Sequence, residues 1–112
     1  QIMNIIGDIE GANCILLDDM IDTAGTIINA SKAALENGAK SVTVVATHGV
    51  LSGNSVNNLN KSDIKKIIIT DTIQIPKEKL FDKLTIVSVK DVFSQAVYRI
   101  HKGESVSALF QF

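Results

Sequence analysis

The stretch Cys14-Ile15-Leu16-Leu17-Asp18-Asp19-Met20-Ile21-Asp22-Thr23-Ala24-Gly25-Thr26 limits what this chain can fold into more than any other. Four apolar residues in succession, 14–17, read as a strand buried on both faces, and two carboxylates follow at once. An unpaired carboxylate is too costly to bury, so the strand is expected to end at Leu17, with its acids in water or in a site. Further on, Thr23-Ala24-Gly25-Thr26 is small and hydroxylated, and residues 27–35 place apolar side chains at helical spacing. The loop therefore joins the carboxyl end of a strand to the amino end of a helix. Open α/β sheets bind ligands at such places, because the first helical N–H groups lack partners and the helix dipole favours an anion.

The residue types indicate which anion. Gly25 lets the backbone approach closely, Thr23 and Thr26 offer hydroxyls, and successive N–H groups in such a turn form a concave nest for phosphate. A tetrahedral phosphomonoester fits. Hydrogen bonds to a charged group contribute about 1.5–3 kcal/mol each, so a few of them support micromolar binding after association costs. Asp18 and Asp19 would repel a phosphate and are expected to face another part of the ligand. A vicinal diol or a divalent cation suits them, because a carboxylate accepts two hydroxyl hydrogen bonds or coordinates hard Mg²⁺. Asp22 stands between the two halves, as a cap for the turn or as a second base.

At 112 residues, 46% of them hydrophobic, the chain reads as one globular domain able to bury a core unaided. The net charge of −1, the absence of a basic cluster and the sparse aromatics give no reason to expect nucleic acid or an anionic membrane as a partner. A single cysteine, Cys14, allows no disulfide within the chain, and its place in an apolar strand argues for packing rather than reactivity. A reducing, cytoplasmic setting is expected, with neither a secretory signal nor an apolar run approaching a membrane span. The start on Gln1 within an apolar stretch is read as a piece of a longer protein.

In order, residues 1–6 read as a strand or its remnant and residues 7–11 as a polar turn with a glycine at each end. A helix is expected over about residues 26–37, stopped by a left-handed Gly38. Residues 41–47 form the next strand, parallel to the first because a helix joins them. Residues 49–63 are polar and turn-rich with room for one short helix, and residues 66–70 are a third buried strand ending in Asp71. Residues 74–83 show little periodicity around Pro76. Residues 85–89 are the last strand, and Val92, Phe93, Ala96, Val97 and Ile100 form one face of a closing helix. The order βαβ(α)ββα reads as an α/β fold, a three-layer Rossmann-like parallel sheet with helices on its faces.

Plainer readings stand beside the functional ones. Paired acids can merely end a strand, although acids followed by a Gly-Thr nest favour a site. Thr47-His48 ends the second strand on the same sheet edge, where a histidine is commonly a turn residue, and Thr72 of Thr70-Asp71-Thr72 suits a turn cap. His101 is explained as a cation near a helix C-terminus. Ser105-Val106-Ser107 alternates like a short edge strand. A Walker P-loop needs a lysine after its glycines, and here Gly25 is followed by Thr26-Ile27. The dinucleotide fingerprint needs three spaced glycines. A response-regulator receiver needs a phospho-accepting aspartate at a later strand end, yet the second strand ends in Thr47-His48.

The loop Asp18-Asp19-Met20-Ile21-Asp22-Thr23-Ala24-Gly25-Thr26 resembles the phosphoribosyl-pyrophosphate loop of type I phosphoribosyltransferase folds, in the spelling of the ribose-phosphate pyrophosphokinases. The resemblance extends to residues 4–11, 36–42, 46–53, 70–73 and 99–107, nearly the whole chain. It implies a sheet of the type I phosphoribosyltransferase kind and places the chain, residues 1–112, as a C-terminal domain. The implied reaction moves the diphosphoryl group of Mg-ATP to the anomeric hydroxyl of ribose 5-phosphate, giving phosphoribosyl pyrophosphate and AMP. By this resemblance Asp18 and Asp19 match the positions that hold ribose hydroxyls and Mg²⁺, and Asp22, Thr23, Ala24, Gly25 and Thr26 match the 5-phosphate cradle. Ser105, Ser107 and Phe110 match a segment of a phosphate or ADP regulatory site between subunits, which implies a homo-oligomer. The family's basic catalytic loop is expected before Gln1 and most ATP contacts in an amino-terminal domain, so the piece alone is expected to be inactive. Two alternatives are a regulatory homologue without catalysis that binds phosphoribosyl pyrophosphate, and a true phosphoribosyltransferase.

Overall fold

A computed structural model describes residues 4–111. Four strands, β1 (Asn13–Ile21), β2 (Ser41–Gly49), β3 (Lys66–Thr70) and β4 (Leu84–Val87), form one parallel sheet in sequential order. Helix α1 (Gly25–Glu36) connects β1 to β2, α2 (Ser55–Lys61) connects β2 to β3, and a single 3₁₀ turn (Lys77–Lys79) lies between β3 and β4. The expected α/β parallel sheet is therefore present. Right-handed crossovers between strands added one after another put every connecting helix on the same face. The core follows from that geometry. Val42, Val44 and Ala46 of β2 and Ile67 and Ile69 of β3 are buried in one cluster with Ile27 and Ala34 of α1 and Leu59 of α2.

The opposite face of the sheet is bare among the described residues. Ile15 is 64% and Leu17 78% exposed, which corrects the expectation of a first strand buried on both faces. Nor does β1 end at Leu17. It continues through Asp18 and Asp19 to Ile21, which pairs with Gly49. The burial argument for ending it fails because β1 is an outer strand whose carboxylates remain exposed, so extending the ladder desolvates no charge.

The other elements follow the sequence closely, with three exceptions. Helix α1 ends at Glu36 and Gly38 takes the expected left-handed conformation, φ 94°, while its carbonyl accepts the Gly11 N–H at 2.8 Å. Helix α3 (Lys90–Lys102) is present, but its apolar face is not packed on the sheet: it has no buried residue, and Phe93, Val97 and Ile100 are exposed. The second exception is the expected edge strand at Ser105-Val106-Ser107, which is instead a bend leading into a 3₁₀ turn (Ser107–Phe110). The Ser105 and Ser107 hydroxyls bond each other at 2.6 Å, and with that local partner the segment needs no ladder. Of the strand expected over residues 1–6, residues 4–6 are not in a strand and residues 1–3 lie outside the described residues.

Candidate functional site

All four strands run the same way, so their carboxyl ends share one edge of the sheet, and the loops leaving that edge converge. Asp22, Thr23 and Ala24 link β1 to α1. Ala24 is buried at 5% exposure and left-handed at φ 71°, and it occupies the N-cap position of α1. The sharp turn therefore falls on Ala24. Gly25, the expected source of backbone freedom, is the first helical residue and lacks a positive φ. What Gly25 supplies is room: a Cβ there would meet nothing within 4 Å, so the face of the turn is open. No side chain caps α1 and no acid sits in its first turn, which leaves its leading N–H groups and dipole to an external anion.

A cavity of about 190 Å³ opens at this turn, lined by Asp18 and the run of residues 20–27. The structure thus brings Asp18, Asp22, Thr23, Ala24, Gly25 and Thr26 to one hollow. Asp19 does not line it. The two carboxylates are neighbours on β1 and both are exposed. The Asp18 carboxyl is held below the usual carboxylate range, first by a side-chain hydrogen bond with Asp19 and then by the Asp19 N–H, which donates to Asp18 Oδ1 at 2.8 Å. The exposed Asp18 carboxylate is suited to accepting hydrogen bonds from hydroxyls or to facing a cation. Among the described residues no group of three or more His, Cys, Asp or Glu side chains forms a dedicated metal cage.

Asp22 does not cap the helix. Its carboxylate accepts a hydrogen bond from Ser52 Oγ, on the loop after β2, so this carboxylate beside the turn is restrained from a second loop. The next strand ends are tied to each other. His48 Nδ1 lies 2.7 Å from Thr72 Oγ1, and Thr70 Oγ1 donates to the Thr47 carbonyl at 2.6 Å. Asp71 turns away from this group toward α3, accepting the Val89 N–H at 2.8 Å. Ser105 and Ser107 are paired beyond α3, where Arg99 Nη1 donates to the Ser105 carbonyl at 3.1 Å, and Phe110 is exposed.

A family model described as the phosphoribosyl synthetase-associated domain matches residues 1–111. The chain belongs to the phosphoribosyl synthetase-associated domain family. It is 52% identical over 110 residues to a ribose-phosphate pyrophosphokinase of Caldanaerobacter subterraneus subsp. tengcongensis, covering 98% of this chain and 35% of that protein. It is 49% identical over 112 residues to ribose-phosphate pyrophosphokinase 1 of Streptococcus mutans, covering 100% of this chain and 35% of that one. A solved phosphoribosylpyrophosphate synthetase from Mycobacterium smegmatis superimposes with a TM-score of 0.85 at 39% identity, over 88% of this chain and 33% of that structure. The chain spans about a third of the length of the relatives it matches. In this synthetase-associated domain, two features of the loop escaped sequence reading. The backbone demand at Ala24 was hidden by the neighbouring Gly25, and the Ser52 contact joins residues 30 apart in sequence.

Proposed function

We propose that this chain is the C-terminal, ribose-5-phosphate-binding part of a ribose-phosphate diphosphokinase. That enzyme transfers diphosphate from Mg-ATP to ribose 5-phosphate, yielding phosphoribosyl pyrophosphate and AMP for nucleotide biosynthesis. The observation that carries this reading is the hollow at the uncapped start of α1, in which the Thr23–Thr26 turn and Asp18 line one cavity. The 5-phosphate takes the N–H groups and hydroxyls of Thr23, Ala24, Gly25 and Thr26, and the ribose hydroxyls meet Asp18, with Asp22 beside them.

Mg²⁺ suits the donor set, because this ion commonly takes one or two carboxylates and completes its shell with water and substrate phosphates. Asp18 and Asp19 would hold it, and it would neutralise charge on the transferring phosphoryl groups. ATP contacts and the basic catalytic loop are assigned to the part of the longer relatives that this chain does not span. The segment with Ser105, Ser107 and Phe110 is assigned to a phosphate or ADP regulatory contact in a homo-oligomer, and the setting to the cytoplasm.

The test is AMP release from Mg-ATP and ribose 5-phosphate by the full-length protein, beside its Asp18→Asn, Asp19→Asn variant. Turnover by the parent and a loss of about 1–3 kcal/mol in kcat/KM for ribose 5-phosphate in the variant is the expected pattern. The 112 residues alone are expected to release no AMP. Retained phosphoribosyl pyrophosphate binding with no turnover by the full-length protein would favour the regulatory homologue, and tight binding of a free nucleobase would favour a phosphoribosyltransferase.

A further inference from the structure

The loop after β2 is built to reach Asp22. Backbone N–H groups of Val50 and Leu51 both donate to the Ile21 carbonyl, at 2.9 and 3.1 Å, and the Ser52 N–H donates to the Asp22 carbonyl at 3.1 Å. Leu51 is left-handed at φ 52° and wholly buried at 0% exposure. A branched residue holds that conformation only where its surroundings dictate it, and here the buried side chain anchors the loop. The consequence is local: the chain turns so that Ser52 Oγ donates to Asp22 Oδ1. Two backbone turns on non-glycine residues, at Ala24 and Leu51, thus flank one carboxylate–hydroxyl contact.

We propose that Ser52 is a positioning residue for the sugar-phosphate loop, acting through Asp22. An unrestrained carboxylate next to an anion nest can swing toward the phosphate and repel it. The Ser52 hydroxyl engages Oδ1, fixes the rotamer and leaves Oδ2 for the ligand, so the site is organised before the ligand arrives. This inference rests on the reading of the loop as a ribose-5-phosphate site, and it adds a residue from a different loop to that site.

The test is steady-state kinetics of the full-length protein and its Ser52→Ala, Ser52→Thr, Asp22→Asn and Asp22→Asn, Ser52→Ala variants, with Asp18→Asn as a control for the site itself. Ser52→Ala is expected to raise KM for ribose 5-phosphate about 5- to 10-fold, the loss of one charge-assisted hydrogen bond. The kcat and the KM for ATP should stay within about twofold, and Ser52→Thr, which keeps the hydroxyl, should restore the parent KM. Added to Asp22→Asn, Ser52→Ala should change little, because its action passes through the carboxylate. A normal KM in Ser52→Ala beside a raised one in Asp18→Asn would overturn the positioning role while sparing the site. Equal losses for both substrates, or losses that multiply in the double variant, would also overturn it. If Asp18→Asn too leaves the KM unchanged, both the site and the role of Ser52 are refuted.

Discussion

Ala24 has an unfavourable backbone conformation in the middle of the candidate site. A left-handed alanine costs roughly 1–2 kcal/mol, which a glycine avoids at the expense of a more flexible unfolded chain. Ala24→Gly is therefore expected to leave thermal stability unchanged or to raise it by up to about 1 kcal/mol. Ala24→Val, with a β-branched side chain in a left-handed and buried position, is expected to lose about 2 kcal/mol or more, read from urea unfolding. Equal stability in both variants would mean that the turn is not left-handed. At this scale the place of the loop was legible in the sequence but its mechanics were not. That Asp18, Asp22, Thr23, Gly25 and Thr26 share one hollow follows from their order at a strand-to-helix junction, which the sequence displays. The left-handed turn at Ala24 and the Ser52–Asp22 bond depend on how two distant loops pack, which no local pattern encodes.

Elements with a strong period or a strong stop signal were legible. Helix α1 and its Gly38 terminator, the β-branched runs of β2 and β3, and the short α2 appear where composition and periodicity placed them. The first strand shows why others did not. An apolar run looks the same whether both faces are covered or one is bare, and carboxylates end a strand only when its edge is buried. Helix α3 depends on a polar tie at its start, where Asp71 accepts the Val89 N–H. The Asp71 carboxyl lies below its ordinary range, chiefly because of that backbone hydrogen bond and then the Ser88 hydroxyl, with the Lys90 charge a lesser cause. A carboxylate with a lowered folded-state pKa adds stability above its unfolded value of about 3.9, and that stability fades as the pH falls through the lower folded value. Asp71→Ala should therefore melt below the parent at neutral pH, and the gap should close as the pH drops below about 4 in circular dichroism melts. A gap independent of pH would exclude the charged hydrogen bond as its source.

For the whole molecule, the parallel α/β sheet was readable because strand, helix and strand alternate along the chain and crossovers have a fixed hand. The sequence did not reveal how much of that sheet the chain covers. Its radius of gyration is 16.8 Å, against about 13 Å for a compact chain of this length. The excess accompanies the bare sheet face at Ile15 and Leu17 and the unburied α3. No described helix is long and apolar enough to cross a membrane. The proposed sugar-phosphate loop lies on the covered side of this picture, since α1 packs into the core through Ile27 and Ala34. Its geometry is thus anchored in the hydrophobic core of the chain, and the proposed site is expected to bind without help from the rest of a longer protein. The measurement that bears most directly on this is a calorimetric titration of the 112-residue chain with ribose 5-phosphate, with and without Mg²⁺, beside the Asp18→Asn, Asp19→Asn variant. Saturable binding that the variant weakens by about 1–3 kcal/mol is the expected result. A folded chain that takes up no heat at millimolar ribose 5-phosphate would contradict it.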